Sequence, residues 1–131
     1  MTDTIRPRLV VPDVDEAIAY YVEHLGAERG ARYAEPSGHV VHAELCIGRS
    51  ELSLTQAHAD WGLSAPSGSG GSPVLLTLTV TDASAVGAAM VAGGATVLIP
   101  IEDRSYGLSE GRLRDPFGHL WIVSQDLPGR P

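Results

Sequence analysis

The sequence predicts an α+β protein built from two tandem βαβββ modules. Apolar alternation typical of strands and the three- to four-residue apolar spacing of a helix follow one another in the same order twice. Two short pieces also recur at one offset: LVVPD at 9–13 matches LTVTD at 78–82, and LSLTQ at 52–56 matches WIVSQ at 121–125, each 69 residues later. Equal offsets at both ends of the unit indicate that a whole module was duplicated.

The first module spans residues 5–56. It begins with a strand at 6–11, which Pro12 ends, and Asp13 is placed to cap a helix over 14–24 that stops before Gly26. Further strands are predicted at 31–33, 39–47 and 51–55, separated by turns at 35–38 and 48–49. The order of elements is therefore βαβββ.

The second module spans residues 74–126 and follows a linker at 57–73, whose glycine, serine and proline content predicts flexibility. A strand at 74–80, a helix at 83–92, a loop at 102–110 and strands at 96–100, 111–115 and 120–125 repeat the first pattern. Pro116 and Gly118 turn the last two strands into a hairpin. Because one module of this size cannot bury its own sheet, two modules must pair, within one chain or between two.

Length and composition exclude several classes of protein. A chain of 131 residues fits a single domain, residues 1–131, and no apolar run approaches the roughly 18 residues of a membrane span. The net charge of −7, with nine arginines and no lysine, disfavours nucleic acid and anionic membranes as partners. The opening residues lack the zones of a signal peptide, so we expect a cytoplasmic protein. Cys46 is the single cysteine, which excludes an internal disulfide and a cysteine-rich zinc site.

Two motifs carry a resemblance to a known family. LVVPDVDEAIAYYVEHLGAE at 9–28 and GRLRDPFGHLWIVSQ at 111–125, together with the tandem modules, resemble the vicinal oxygen chelate superfamily of glyoxalases, bleomycin-resistance proteins and dioxygenases. The terminal motif is most similar to the small antibiotic-resistance and PhnB-like branches. The resemblance implies a curved mixed sheet around a cleft. It does not determine the activity, because the superfamily contains lyases, dioxygenases, thiol transferases and proteins that only bind drugs.

The resemblance also implies where a metal would bind. Enzymatic members hold a divalent metal with four cavity-facing side chains, usually His, Glu or Gln, from the first and last strands of each module. Matching the motifs places these positions at Arg6, Ser53, Leu75 and Ile122. A guanidinium, a neutral hydroxyl and two hydrocarbon side chains are not a usable donor set. We therefore expect no metal, no cofactor and no catalytic residue of the family type.

Strand alternation predicts which side chains reach the cavity. Leu9, Val11, Leu52 and Leu54 should pack on the helix, and the residues between them should face the cavity. His42 and Glu44 share a face and form either a proton-transfer dyad or a polar contact at the cavity rim. The candidate ligand-binding residues are Arg6, Arg8, His42, Glu44, Ser53, Thr55, Trp61, Leu75, Thr77, Tyr106, Arg112 and Ile122.

Two of the candidate ligand-binding residues are aromatic. Trp61 lies in the polar linker, where it either stacks on a planar ligand or holds the linker down or seals a dimer. Tyr106 is a candidate because its position often lines the pocket in proteins of the family that this chain resembles. Trp121 should point away from Ile122 and into the core.

These observations favour a metal-independent binding protein, expected to be a homodimer, that sequesters a planar or glycosylated antibiotic-like molecule. The mixture of apolar, hydroxyl and arginine side chains suits a partly aromatic ligand with acidic or carbonyl groups. Two alternatives remain open. One is a glyoxalase- or dioxygenase-like enzyme with non-standard metal ligands, or a metal-free isomerase that uses His42 or Glu44. The other is a regulatory or scaffold module.

Overall fold

The computed structural model describes residues 3–66 and 71–129. The chain divides into two compact units, residues 1–65 and 66–131. Each unit consists of one four-stranded sheet and one helix. The predicted α+β class and the tandem βαβββ order are therefore confirmed.

In unit 1 the elements are β1 (Arg8–Val11), α1 (Val14–Leu25), β2 (Glu28–Ala34), β3 (Val40–Ile47) and β4 (Ser50–Gln56). The strand order is β1-β4-β3-β2, with β1 parallel to β4 and the remaining neighbours antiparallel. The second strand is longer than the predicted 31–33. It carries two register irregularities against β3, which hide its alternation in the sequence.

Helix α1 begins and ends where the sequence indicates. The Asp13 carboxylate accepts a hydrogen bond from the backbone N–H of Glu16 at 3.1 Å, and Gly26 ends the helix with φ 68°. The predicted packing is confirmed, since the four leucine and valine positions that were expected to face the helix are all buried. Those positions are Leu9, Val11, Leu52 and Leu54.

In unit 2 the elements are β5 (Leu75–Thr79), α2 (Ala83–Ala92), β6 (Thr96–Asp103), β7 (Leu108–Arg114) and β8 (Leu120–Asp126). The order β5-β8-β7-β6 repeats that of unit 1, again with one parallel pair. The loop predicted at 102–110 is wrong in extent. The strands continue to a tight connection over 104–107, closed by Arg104 N–H on Leu108 O at 2.7 Å.

The repeat offset is confirmed in the pairing register. Arg8 pairs with Ser53 in unit 1, and Thr77 pairs with Ile122 in unit 2, so both members of the pair are displaced by 69 residues. Trp121 is 3% exposed, and its prediction as a core residue is confirmed. Its face of β8 is opposite that of Ile122.

The segment after β4 has local structure. A 3₁₀ turn at Ala59–Trp61 is closed by a bridge between His58 and Leu63. Residues 67–70 of the predicted linker lie outside the described residues. Neither of the two helices in the described ranges has the length and apolar character needed to cross a membrane.

Candidate functional site

Each unit has one sheet face covered by its helix and one face that carries polar side chains. In unit 1 the second face is formed by the odd-numbered residues of β4 and the even-numbered residues of β1 and β3, because successive side chains of a strand point to opposite faces. We call this the unit 1 polar face. Its members are Arg6, Arg8, Tyr33, His42, Glu44, Glu51 and Ser53.

Arg6 connects two carboxylates at one end of this face. Its guanidinium donates to Glu44 Oε1 at 3.2 Å and to Glu51 Oε2 at 2.7 Å. The hydrogen bond to Glu51 is the main cause of a raised Arg6 pKa. The hydrogen bond from His42 and the nearby Arg6 charge lower the pKa of Glu44, so this carboxylate remains ionised at neutral pH.

Both ring nitrogens of His42 are engaged. Arg8 Nη2 lies 2.7 Å from His42 Nδ1, and His42 Nε2 lies 3.2 Å from Glu44 Oε1. A guanidinium can only donate, so Nδ1 must supply the lone pair and the proton must sit on Nε2, facing Glu44. Tyr33 stacks on the imidazole with ring centroids 5.9 Å apart. Neither nitrogen is left to take a proton from a substrate, which favours the polar-contact interpretation of the His42 and Glu44 pair.

Ser53 and Thr55 face the same side but are covered. They are 1% and 4% exposed, and Ser53 Oγ accepts from Arg8 Nε at 3.1 Å. Ser53 therefore positions Arg8.

The corresponding face of the second sheet, which we call the unit 2 polar face, includes Glu110, Arg112, Arg114 and Ile122. It carries a cavity of about 260 Å³. It lies across β6, β7 and β8, on the side opposite to Trp121. Two isoleucines and a glycine form its apolar wall, and a tyrosine, a glutamate and two arginines form its polar wall. The lining residues are Ile99, Arg104, Tyr106, Glu110, Gly111, Arg112 and Ile122.

Gly111 allows β6 and β7 to approach each other closely beside this cavity. A Cβ atom there would lie 2.7 Å from Ile101 N and 2.7 Å from Pro100 C, and would also meet Ile99 O. Strand β6 is irregular at this point, with register shifts on both sides of Ile99. The bulged strand can approach β7 only because residue 111 has no side chain.

Tyr106 and Glu110 form the polar rim. The Tyr106 hydroxyl donates to Glu110 Oε1 at 2.6 Å, and this bond raises the pKa of Tyr106 above its ordinary value. Arg104 donates to the backbone carbonyl of Glu110 from Nε at 3.1 Å and from Nη2 at 3.0 Å. The side chains of Arg104 and Tyr106 thereby bind the connection 104–107 to Glu110 on β7, beside the cavity.

Arg112 lies in the centre of the face. It pairs with Ile122 on β8 and with Ile99 on β6, so an isoleucine flanks it on each side. Its Nε is buried without a hydrogen-bond partner among the described residues, and the same holds for Arg114 Nε two positions further on the same side of β7.

Trp61 contacts two histidines of its own unit. Its ring stacks on His58 with centroids 4.1 Å apart and an interplanar angle of 9°, and it meets His39 edge-on at 5.2 Å. The side chain is 51% exposed. These contacts favour the interpretation that Trp61 holds the segment after β4 in place.

The four family-type metal positions do not fit a metal. Arg6 is committed to two carboxylates, Ser53 is a covered hydroxyl, Leu75 is a 44% exposed hydrocarbon and Ile122 forms the apolar cavity wall. Within residues 3–66 and 71–129 there is no cluster of three or more His, Cys, Asp or Glu side chains that could hold an ion. The donor chemistry of these positions therefore supports no metal-dependent step.

The structure brings most, not all, of the predicted residues together. Five gather on the unit 1 polar face (Arg6, Arg8, His42, Glu44 and Ser53) and three line the unit 2 cavity (Tyr106, Arg112 and Ile122). Thr55 is buried, Trp61 joins the histidines, and Leu75 and Thr77 lie exposed on β5 outside the cavity lining.

Sequence reasoning missed several site residues. Glu110 shares a strand face with Arg112 at a spacing of two, a signal that was present in the sequence. Tyr33 and Ile99 could not be found in this way, because irregular registers in β2 and β6 shift their faces. Arg104 enters through a tight connection whose length the sequence overestimates.

Comparisons with known proteins agree with this architecture. The family model described as Glyoxalase/Bleomycin resistance protein/Dioxygenase superfamily matches residues 4–123. An uncharacterized protein of Mycobacterium tuberculosis is 37% identical over 126 residues, which cover 94% of this chain and 74% of that protein.

Solved structures show the same fold. TioX from Micromonospora sp. ML1 is 24% identical with a TM-score of 0.73, covering 96% of this chain and 100% of that one. A glyoxalase/bleomycin resistance protein/dioxygenase family enzyme from Burkholderia phytofirmans PsJN is 20% identical with a TM-score of 0.76, again covering 96% and 100%. At these identities the likeness concerns the fold alone.

Proposed function

Since this chain belongs to the Glyoxalase/Bleomycin resistance protein/Dioxygenase superfamily, we propose that it binds a small organic molecule without a metal and sequesters it. The ligand class we propose is a planar or glycosylated, antibiotic-like compound. A stoichiometric binder of this kind protects by mass action, because it lowers the free concentration of the compound without changing it chemically.

The unit 2 cavity is the observation that carries the proposal. It combines an apolar wall with a small number of oriented polar groups, which is the usual composition of a small-molecule site. Its volume of about 260 Å³ lies just below the roughly 300–1,000 Å³ of complete ligand pockets, so it accommodates one ring system of a larger ligand. Ile122, at a position where enzymes of this superfamily carry a metal ligand, supplies part of the apolar wall.

The unit 1 polar face supports binding rather than catalysis. Its histidine has no nitrogen available for proton transfer, and its carboxylate at Glu44 is shared between His42 and Arg6. A metal-free isomerase that used this pair would have to break the Arg8 contact first. The geometry therefore does not favour the enzymatic alternative.

The proposal is tested by direct binding measurements. Purified protein is titrated with bleomycin and with doxorubicin, which is planar and glycosylated, by isothermal calorimetry and by thermal shift. Ile122→Phe should fill the cavity and weaken binding at least about tenfold, because a ring would occupy the space of the ligand. Ile5→Phe is the matched control, since Ile5 is 97% exposed in unit 1, and it should leave affinity unchanged.

Three results would contradict the proposal. The first is the absence of binding across a panel of planar and glycosylated antibiotics. The second is equal affinity of the wild type and Ile122→Phe. The third is stoichiometric Ni, Zn, Fe or Mn in the purified protein together with turnover of a bound compound. The expected homodimer is a separate prediction, to be measured by analytical ultracentrifugation.

A further inference from the structure

The unit 2 cavity contains a buried cationic donor that lacks an acceptor among the described residues. Arg112 Nε is inaccessible to solvent and makes no hydrogen bond there. Buried N–H groups in native proteins are nearly always paired, because an unpaired one loses its hydration without compensation. Other atoms of Arg112 line the cavity, so a turn of the guanidinium towards that space would expose Nε–H to an acceptor on a ligand.

The arginines of the unit 1 polar face are paired. Arg6 donates to two carboxylates, and Arg8 donates to a hydroxyl and an imidazole. Arg112 has no such carboxylate partner among the described residues. Glu110, two residues before it on the same side of β7, accepts from the Tyr106 hydroxyl instead. The charge of Arg112 is thus not neutralised by an ion pair within the described part of the chain.

Two further arginines add to the positive charge at this place. Arg114 Nε is also buried and unpartnered, and it lies two residues from Arg112 on the same strand face. Among the residues that the structure describes, Arg104 donates to the backbone carbonyls of Pro100 and Glu110 and forms no ion pair, so its full charge remains. In a chain with a net charge of −7, two arginines therefore line this cavity and a third follows Arg112 on the same strand face, whereas Glu110 is the one carboxylate among the lining residues.

From this arrangement we infer that the unit 2 cavity takes the carboxylate of a planar aromatic acid. Once the guanidinium of Arg112 turns towards the cavity, its Nε–H and one Nη–H form a fork that matches the two carboxylate oxygens. The ring lies against Ile99 and Ile122, which flank Arg112 in the sheet and remove the ring from water. This inference rests on the proposed function and names the ligand class of the same site.

The experiment compares acids with their neutral amides. Benzoate and 2-naphthoate, each against benzamide and 2-naphthamide, are titrated into the ¹⁵N-labelled full chain up to their solubility limits. The Nε–H signal of Arg112, assigned by its disappearance in Arg112→Lys, reports on the contact itself. We expect the acids to shift this signal and to bind at least about tenfold more tightly than the amides, as a charge-assisted pair of hydrogen bonds implies.

Variants separate this contact from a general charge effect. Arg112→Gln should remove the preference for acids, whereas Arg49→Gln, which deletes an equal charge at an exposed turn of unit 1, should retain it. Far-UV circular dichroism and urea midpoints establish that both variants are folded. In Arg112→Lys the charge remains but the fork is lost, so the preference for acids should fall to an intermediate value.

Several outcomes would overturn the inference. They are equal affinity for acids and amides, an unshifted Arg112 signal, an unchanged preference in Arg112→Gln, absence of binding by either acid, or a shift with inorganic phosphate alone. Antibiotic binding that persists with equal acid and amide affinities would refute the acidic ligand and leave the proposed function standing. Binding of naphthoate through Arg112 without binding of any antibiotic would do the reverse.

Discussion

A single buried carboxylate holds the hairpin that joins β7 to β8. One oxygen of Asp115 accepts from the backbone N–H groups of Phe117 at 2.9 Å and His119 at 3.0 Å, and the other accepts from the Trp121 indole at 2.9 Å. Asp115 is 2% exposed and Trp121 is 3% exposed. The shape of the turn and the packing of the core therefore depend on the same side chain.

Replacing this carboxylate should be strongly destabilising. Asp115→Ala removes three charge-assisted hydrogen bonds at about 1.5 kcal/mol each, so we expect a loss of about 3–5 kcal/mol. That is a large part of the total stability of about 5–15 kcal/mol that is typical of a domain. The backbone bond from Gly118 N–H to Asp115 O, at 3.1 Å, survives the substitution and limits the damage to the turn.

A double-mutant cycle isolates the bond to the indole. Asp115→Asn keeps one oxygen for the two backbone donors but turns an amide donor towards Trp121, which should cost about 1–3 kcal/mol. Trp121→Phe removes the indole N–H, so the conflict disappears in the double variant. We expect the double variant to be about 1–2 kcal/mol more stable than the sum of the single effects.

Urea unfolding followed by far-UV circular dichroism is the appropriate assay, because tryptophan fluorescence changes with the substitution itself. Asp103→Ala, at an exposed position of β6, is the control and should stay within about 0.5 kcal/mol of the wild type. If Asp115→Ala unfolds within about 1 kcal/mol of the wild type, or if the cycle is additive, the carboxylate does not organise this hairpin.

Three further predictions concern the two polar faces. Gly111→Ala should destabilise the protein by about 1–3 kcal/mol, since its Cβ would lie 2.7 Å from the backbone of β6. In the control Gly71→Ala the new Cβ has no atom within 4 Å, so the urea midpoint should stay unchanged. Equal midpoints for the two variants would contradict this. The hydrogen bond to Glu110 raises the pKa of Tyr106 from 10.0. The difference between the absorbance titrations of the wild type and Tyr106→Phe should therefore show ionisation of this hydroxyl above that value, and Glu110→Gln should lower the Tyr106 pKa. An unshifted titration would refute the contact. The pKa of Glu44 is lowered from 4.5, chiefly by the hydrogen bond from the adjacent imidazole. The stability that this carboxylate contributes to the folded state is therefore present above that value and is lost as the pH falls through the folded pKa. Glu44→Gln should lessen the acid-induced decrease in the free energy of unfolding, and pH profiles parallel to that of the wild type would show that Glu44 has no such role.

The fold followed from local signals that agree with one another. Asp13 and Asp82 both cap helices through their carboxylates, accepting from the backbone N–H three residues later at 3.1 Å. Alternating leucines and valines in β1 and β4 identified the helix-covered face, because a strand with one buried face leaves little freedom in its register. The boundaries failed at β2 and β6, where bulges interrupt the alternation that the sequence argument requires.

The site was less accessible to sequence reasoning because it depends on contacts between strands. Strand alternation placed Arg8, His42 and Ser53 on one face, but alternation does not determine which donors form hydrogen bonds with which acceptors. Arg8 on β1 reaches His42 on β3 across the intervening β4, where it pairs with Ser53. This contact and the one with Glu44 engage both ring nitrogens of His42. The hydrogen bond between Tyr106 and Glu110 likewise depends on a tight connection whose length was overestimated.

The two modules cannot be aligned at a single offset throughout. Strand β4 corresponds to β8 at 69 residues, but Glu44 pairs with Ser53 and Arg112 with Ile122, so β3 corresponds to β7 at 68. The hairpin of unit 2 has three residues between Asp115 and His119, where unit 1 has two between Ile47 and Ser50, which accounts for the extra position. Glu44 and Arg112 are therefore equivalent residues of opposite charge. In unit 1 the carboxylate at this position pairs with Arg6, and in unit 2 an arginine occupies the equivalent position, which is the difference on which the proposed acidic ligand rests.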